Sequence, residues 1–358
     1  MKKNITKYLL LALACLGLQS CLFQEENYFD DSSANRATAD VSRCGELLKG
    51  APNGWVMEYY VGKDYSLGGI TLLCRFDGQR VTMASQMSEA DETVSSLYSV
   101  KSEQATMLSF DTYNYLVHYF GQPQGSMSDD PNGTLGGDYE FIISSASAER
   151  IELKGKKYGN RIVMKALTED QTWKQYLTKI KKVEDDAFFY EYDLLMDGLY
   201  TGQMIRSNYT FIVTYYDEIG KVHQKTVPFM FTADGLRFHE PVTIDGQTMQ
   251  NFVWKNELIS FVCTDEGATG VKLAGVYTAG YQSYDYYPGT YQMDFYRLND
   301  ETGQLEVASQ EVRLLKNEDG KSYWLKGLEY DILVMYDKPR GGLSVSPQLL
   351  KKVQGGYV

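Results

Sequence analysis

Hydrophobic residues near the start of the chain follow a helical spacing and then change to a strand spacing. Over residues 37–48 they recur every three or four positions, as on one face of an amphipathic helix. The Pro and Gly of Ala51–Trp55 interrupt this pattern, so the helix is predicted to end there. The predicted apolar face consists of Ala37, Val41, Cys44, Leu47 and Leu48.

Short segments rich in β-branched and aromatic residues follow, separated by Gly or Asp-Gly, which is typical of antiparallel hairpins. The clearest turn of this region is Asp77-Gly78. Residues 151–154 alternate between apolar and polar, and residues 157–160 then reverse the chain into 161–165, which predicts a hairpin with one solvated face. The strands predicted before it are Trp55–Tyr60, Ile70–Phe76 and Arg80–Ser85.

A second helix is predicted where Thr168 and Gln171 have the spacing of a capping box. The helical spacing continues to Val183–Asp186, where the helix is predicted to end. We place a domain boundary there, between an N-terminal β-rich domain at 34–187 and a C-terminal β-rich domain at 188–358. The apolar stripe of the predicted helix consists of Trp173, Tyr176, Leu177, Ile180 and Val183.

Strand patterns resume beyond this helix, and Asp-Gly pairs again mark the turns. No fixed-period repeat is visible, but both halves are β-meanders of similar size, so a diverged duplication stays open. The predicted fold is mainly β, with two antiparallel β-meander units, an N-terminal helix and a helix between the units. Each unit is a sandwich or a partly closed barrel, because both give alternating strands between turns. The predicted strands are Tyr209–Tyr216, Val227–Thr232, Leu236–His239 and Asn251–Trp254.

The N-terminus has the pattern of a bacterial lipoprotein signal peptide. Three lysines precede the apolar run Tyr8–Leu18, which is too short to cross a bilayer as a helix. Leu18-Gln19-Ser20-Cys21 resembles a lipobox, so we predict a signal peptide at 1–20, lipid attachment at Cys21 and a flexible acidic tether at 21–33. Cys15 lies within the apolar run and is predicted to be removed. The alternative is an ordinary secreted protein.

The residues after Cys21 and the net charge indicate location and partners. Gln24–Glu26 resembles the acidic export signal of Bacteroidetes surface lipoproteins, which predicts the extracellular side of the outer membrane, with the periplasmic leaflet as the alternative. The chain has 35 Lys and Arg against 47 Asp and Glu, a formal net charge of −12. Since no basic stripe occurs, we expect no nucleic-acid partner, and we expect membrane attachment through the lipid.

Four blocks in order carry a resemblance to a known family. They resemble the Bacteroidetes surface lipoproteins grouped as the domain of unknown function 4302 family, over roughly residues 30–350. The resemblance implies an accessory surface lipoprotein of a TonB-dependent nutrient uptake system, alongside an outer-membrane transporter and a binding lipoprotein. It implies no catalytic residues. The blocks are Ala51–Tyr60, Leu108–Phe120, Gly137–Leu167 and Pro228–Trp254.

Residues suited to catalysis or metal binding are scattered. The motifs HExxH, GxSxG and GxGxxG and the P-loop do not occur, so we predict no catalytic residue, no metal and no cofactor. Asp129–Gly133 gathers oxygen ligands for calcium but lacks EF-hand spacing, which favours a solvated loop. The histidines lie in separate segments, and the three cysteines of the body are interpreted as small buried hydrophobes that form at most one disulfide. These residues are His118, His223, His239, Cys44, Cys74 and Cys263.

A run of seven tyrosines at Gly275–Tyr296 is the candidate binding site. Tyrosine rings suit stacking on sugars or anchoring of a partner, but tyrosine is also an ordinary strand former. Gly280 and Pro288 favour a loop, in which exposed tyrosines would indicate binding. The candidate ligand or partner residues are Tyr281, Tyr284, Tyr286 and Tyr287.

Two functions of different classes follow from these patterns. The first is a non-catalytic surface lipoprotein that binds a nutrient, either glycan or peptide, or a partner transporter, and it predicts an exposed aromatic platform. The alternative is a surface hydrolase of a glycan or peptide, which predicts a cleft with two facing carboxylates or with a histidine beside an acid.

Overall fold

A computed structural model describes residues 32–124, 133–217, 219–299 and 301–349, and the backbone of 352–353 and 356–357. Strands make up 49% of the structure and helices 13%, which confirms the prediction of a mainly β protein. Its three parts are two closed eight-stranded antiparallel barrels and an open five-stranded sheet.

The first barrel follows helix α1, Ser33–Lys49, whose first turn is capped by the side chain of Ser32. Cys44 and Leu48 are buried, as the helical stripe predicts. The barrel strands follow in chain order, interrupted by the short helix α2, Tyr115–His118, between β5 and β6. They are β1 Trp55–Val61, β2 Gly68–Phe76, β3 Arg80–Ser85, β4 Val94–Ser102, β5 Thr106–Phe110, β6 Glu140–Ala146, β7 Arg150–Gly155 and β8 Arg161–Ala166.

Pairing of β1 with β8, at Trp55 opposite Ala166, closes this barrel. Large side chains such as Trp55, Tyr59 and Phe141 are fully buried and fill its interior, as expected for an eight-stranded barrel. All seven residues of β1 are buried, because its outer face packs against the second barrel.

Helix α3, Trp173–Asp186, connects the barrels, as predicted, but its cap differs from the predicted one. The capping box is formed by Thr172 and Gln175, one turn beyond the predicted Thr168 and Gln171. Both pairs have the Thr-x-x-Gln spacing. The Thr168 hydroxyl instead donates to Asp170 within the preceding loop, so it does not cap the helix.

The second barrel repeats the order of the first, with a helix followed by an eight-stranded meander that closes through β9 and β16. Asp245-Gly246 forms the predicted two-residue turn, with φ of 45° and 76°, as an Asp-Gly hairpin requires. The strands are β9 Glu191–Met196, β10 Leu199–Ser207, β11 Thr210–Tyr216, β12 Val222–Phe231, β13 Gly235–Ile244, β14 Gln247–Lys255, β15 Ser260–Cys263 and β16 Val271–Val276.

The two barrels share a core. Val56, Leu73 and Ala84 of the first barrel belong to the same buried cluster as the interior of the second. At one edge of this contact the guanidinium of Arg237 donates to both carboxylate oxygens of Glu58, and Lys165 donates to the same carboxylate at 2.7 Å. The Glu58 side chain is only 9% exposed, so the ion pair lies within the seam between the barrels.

The third part is an open five-stranded antiparallel meander, separate from the second barrel although both lie within residues 188–358. The sequence pattern does not distinguish this sheet from the strands that precede it. A two-stranded pairing of residues 352–353 with 356–357 follows it. The strands of the sheet are β17 Gly289–Leu298, β18 Leu305–Lys316, β19 Ser322–Lys326, β20 Ile332–Asp337 and β21 Gly342–Ser344.

Candidate functional site

The predicted tyrosine site lies in the connection between the second barrel and the five-stranded sheet. Residues 277–288 form a loop without strand pairing, as the Gly and Pro within the run predict. The loop crosses one face of the sheet and closely approaches Gly341, where a Cβ atom would lie 2.6 Å from the backbone nitrogen of Gln282. Gly341 also has a φ of 62°, so both the close approach and the backbone conformation require glycine at this position.

Three of the four predicted tyrosines pack against the sheet. The ring of Tyr284 stacks on that of Tyr323 with centroids 4.6 Å apart, and its hydroxyl donates to the Ser322 carbonyl. Tyr287 donates to the carbonyl of Gly341, and Tyr281 accepts a hydrogen bond from the hydroxyl of Tyr336. Burial raises the pKa of Tyr284. These rings therefore have a structural role in fixing the loop.

Tyr286 is different, because 61% of its side chain is exposed. It stands with Tyr287 and Tyr291 beside an open groove of about 750 Å³ on the face of the sheet, which we call the sheet groove. Two of the predicted tyrosines, Tyr286 and Tyr287, thus line the groove, while Tyr281 and Tyr284 do not. The lining residues are Tyr286, Tyr287, Tyr291, Gln292, Met293, Val312, Leu314, Leu325, Val334, Leu343, Ser344 and Val345.

The lining of the sheet groove is mainly apolar. Its lining is aliphatic and aromatic and contains no carboxylate, amine, imidazole or thiol. Gln292, Ser344 and the tyrosine hydroxyls are its polar groups, and two of those hydroxyls are engaged, since Tyr287 donates to Gly341 and Tyr291 to the carbonyl of Tyr287. The groove therefore offers apolar contacts to a ligand, and its lining contains no side chain that commonly acts as a general base.

Exposed apolar side chains also lie on the opposite face of the β17–β18 hairpin, towards its turn, and we call them the apolar arm. Tyr296 faces Val307 across the two strands, and Leu298 faces Leu305. Their exposed fractions run from 59% to 75%. Apart from Tyr296, which is the last tyrosine of the run, sequence reasoning did not select these residues, and it did not select the groove lining outside the run. The apolar residues of β17 and β18 are the sequence signal that could have identified them, but the same pattern is typical of the buried face of a strand.

The three histidines lie at three separate places. His118 stacks on Tyr139, and the ring of His239 lies 4.3 Å from that of Tyr60 and 4.0 Å from that of Tyr65. Burial lowers the pKa of His239. The structure does not bring any two of them together as a metal or haem site.

His223 does have an acid beside it, with Nε2 2.8 Å from a carboxylate oxygen of Asp217. This hydrogen bond and two from backbone N–H groups lower the pKa of Asp217. The pair joins the ends of β11 and β12 at an exposed hairpin turn and does not line the sheet groove. The contact accordingly fits a role in shaping the turn.

The cysteines Cys44, Cys74 and Cys263 are all buried and free. Burial raises the pKa of all three thiols, to about 11 for Cys263, which suppresses thiolate reactivity. Across residues 32–124, 133–217, 219–299 and 301–349, no group of three or more His, Cys, Asp or Glu side chains is placed to hold a metal ion. The predicted lipid-attachment residue Cys21 and most of the candidate calcium loop Asp129–Gly133 lie outside the described residues.

Within the described part of the chain, no helix is both long and apolar enough to cross a membrane.

No curated protein and no solved structure gives a significant match to the chain. Two family models match it, and both are described as domains of unknown function. The second, DUF4987, matches residues 264–358, which include β16 of the second barrel and the whole five-stranded sheet. The first, DUF4302, matches residues 25–256, from the N-terminal helix to the end of β14. Because this match spans more than half of the sequence, the chain belongs to the DUF4302 family of unknown function.

Proposed function

We propose that this chain is a non-catalytic lipoprotein of the outer cell surface, of the Bacteroidetes type, and accessory to a TonB-dependent nutrient uptake system. In this proposal Cys21 carries the lipid, residues 22–31 form the tether up to the cap of helix α1, and the sheet groove docks on the partner outer-membrane transporter or its binding lipoprotein. The observation that carries the proposal is the open, apolar, tyrosine-lined groove on the five-stranded sheet.

The extent of exposed apolar surface supports docking of a protein. The groove and the apolar arm share strands β17 and β18 but lie on opposite faces of this hairpin, since Tyr296 and Leu298 are an odd number of residues from Tyr291 and Met293. The arm leaves Tyr296, Leu298, Leu305 and Val307 at 59% to 75% exposure. Exposed apolar surface of this kind is typical of interaction sites, since a free monomer would leave it in contact with water. Ion pairs such as Lys326–Asp331 and Arg297–Glu306 lie in or beside the same sheet, and they fit the polar rim of an interface.

The lining of the groove favours a protein partner over a sugar. A sugar needs many hydrogen-bond partners around its hydroxyl groups, whereas most of the lining is Leu, Val, Met and tyrosine rings. A protein partner, in contrast, supplies apolar side chains that match such a lining.

The edge of the sheet supports the same conclusion. Among the described strands, β17 pairs only with β18, so its other side presents unpaired backbone N–H and C=O groups over ten residues. An extended segment of a partner can pair with such an edge while its alternate side chains enter the adjacent groove. Backbone pairing and apolar anchoring would then act on the same partner segment.

The test is capture of the partner from membranes of cells that express the full chain. We expect the parent protein to capture an outer-membrane transporter or binding lipoprotein, and Leu343→Asp to reduce the captured amount about tenfold, because it introduces a charge into the groove. Ile219→Asp is the matched control, since Ile219 is also apolar and is 87% exposed, but it lies in the second barrel.

Circular dichroism and a thermal melt establish that both variants keep the fold. Equal capture by Leu343→Asp and the parent would contradict docking through the sheet groove. If the parent captures neither kind of partner, the accessory role itself is refuted.

A further inference from the structure

A second aromatic surface lies on the first barrel, far along the chain from the five-stranded sheet. We infer that the surface formed by Tyr113, His118, Gln122 and Tyr139, here called the Tyr113 patch, binds neutral pyranose units of a polysaccharide. This site is independent of the sheet groove and its proposed protein partner.

The Tyr113 patch consists of neighbouring rings with exposed surface. The centroid of His118 lies 5.4 Å from that of Tyr113 and 4.5 Å from that of Tyr139. Tyr113 is 64% exposed and Tyr139 is 42% exposed. Tyr113 thus offers most of its ring for stacking on the C–H face of a sugar. His118, which itself stacks on Tyr139, packs against Tyr113.

The patch is held in place by the barrel core. Helix α2 follows Tyr113 and ends at His118, and its Leu116 and Val117 are buried in the core of the first barrel together with Phe120. The buried Asn114 caps this helix and binds the hydroxyl of Ser96. A ligand therefore meets rings that are already ordered, which lowers the entropic cost of binding.

Polar groups suited to sugar hydroxyls surround the rings. The hydroxyl of Tyr113 donates to Oε1 of Gln122 at 3.1 Å, which fixes the ring and directs the amide nitrogen of Gln122 away from this contact. Nδ1 of His118 lies 3.0 Å from the carbonyl oxygen of Asn114, so Nε2 is the ring nitrogen left for a ligand. The patch combines flat apolar faces with hydrogen-bonding groups, as a pyranose ring requires.

Charge and topology exclude other ligand classes. The patch contains no Lys or Arg to pair with a sulfate or uronate, and the nearby Glu92 accepts a hydrogen bond from Tyr115, so anionic sugars are disfavoured. A peptide that binds by adding a strand would need a free strand edge. The strands β5 and β6 beside the patch are each paired on both sides within the closed barrel, so no free edge is present there.

The test is native gel electrophoresis of the detergent-extracted full chain through gels that contain dextran, galactomannan or arabinoxylan, with dextran sulfate as the anionic comparison. We expect at least one neutral polysaccharide to retard the parent protein and dextran sulfate to have no effect. Tyr113→Ala should weaken the retardation about tenfold, and Tyr139→Ala should weaken it as well, whereas Tyr113→Phe should keep most of it because the ring remains.

Tyr296→Ala is the matched control, because Tyr296 is a 75% exposed tyrosine of the five-stranded sheet, and it should bind like the parent. The inference is overturned if none of the three neutral polysaccharides retards the parent, or if both alanine variants at the patch bind like the parent. Leu343→Asp separates the two proposals, since it should lose partner capture and keep polysaccharide binding.

Discussion

Replacing Arg237 by methionine tests the seam between the two barrels. The guanidinium donates two hydrogen bonds to the Glu58 carboxylate, and the Glu58 side chain is only 9% exposed. Methionine keeps most of the apolar length of the side chain but leaves a buried carboxylate without its principal partner. Removing one member of a buried ion pair costs about 3–5 kcal/mol of the free energy of unfolding.

Because Lys165 still contacts Glu58 in the Arg237→Met variant, we expect the loss of stability to lie at the lower end of this range. Lys165 still donates to Glu58 at 2.7 Å, but its own side chain is 41% exposed, so solvent weakens that ion pair. We therefore expect Arg237→Met to lower the free energy of unfolding by about 3 kcal/mol. The double variant Glu58→Leu with Arg237→Met should return to within about 1 kcal/mol of the parent, because it leaves no buried unpaired charge.

Urea unfolding measures these differences, and tryptophan fluorescence follows both barrels, since Trp55 lies in the first and Trp254 in the second. Lys174→Met is the matched control, because both side chains of the Lys174–Asp91 ion pair are exposed, and the pair should contribute less than about 1 kcal/mol to the free energy of unfolding. A cost below about 1 kcal/mol for Arg237→Met would refute the reasoning. So would a double variant that is no more stable than the single one.

Three further predictions concern the helix cap, the partly buried His239 and the lipid. Thr172→Ala should lower the free energy of unfolding by about 1 kcal/mol and Thr168→Ala by less than half of that in urea titrations, because the Thr172 side chain caps helix α3. Burial lowers the pKa of His239 in the folded protein, so below about pH 6.5 the unfolded chain takes up a proton at His239 before the folded protein does, and the free energy of unfolding declines towards pH 5. His239→Phe should flatten that decline in denaturation at several pH values. Metabolic labelling with palmitate should label the parent and leave Cys21→Ala unlabelled, and labelling of both would contradict lipid attachment at Cys21.

Local patterns predicted those elements whose determinants lie within a few residues. The Asp245-Gly246 turn is an example, since both positions need the positive φ values that Asp-Gly tolerates. The capping box shows the limit of local reasoning. Two Thr-x-x-Gln pairs occur one after the other, and only the packing of helix α3 decides that Thr172, and not Thr168, lies at its end.

Long-range pairing decided what the sequence left open. A sandwich and a barrel give the same alternation, and the choice rests on the pairing of β1 with β8, more than 100 residues apart. Glu58 and Arg237 are 179 residues apart, and nothing around either residue predicts their contact. The tyrosine run was a correct guide to a loop, but whether each ring faces the sheet or solvent depends on residues such as Tyr323 and Tyr336 that follow in later strands.

The closure of the two barrels determines where this protein can interact. Each strand of a closed barrel is paired on both sides, so within the described part of residues 32–349 backbone pairing with a partner is available only at the edges of the open five-stranded sheet. The first barrel instead presents exposed side chains outside its strands, as at Tyr113 and Tyr139. The two surfaces also differ in chemistry. The sheet groove combines aliphatic side chains and tyrosine rings beside a free strand edge, whereas the Tyr113 patch consists of aromatic rings with hydrogen-bonding groups. This difference is the physical reason to expect a protein at the first and a sugar at the second, and it lets a substitution at either surface leave the other unchanged.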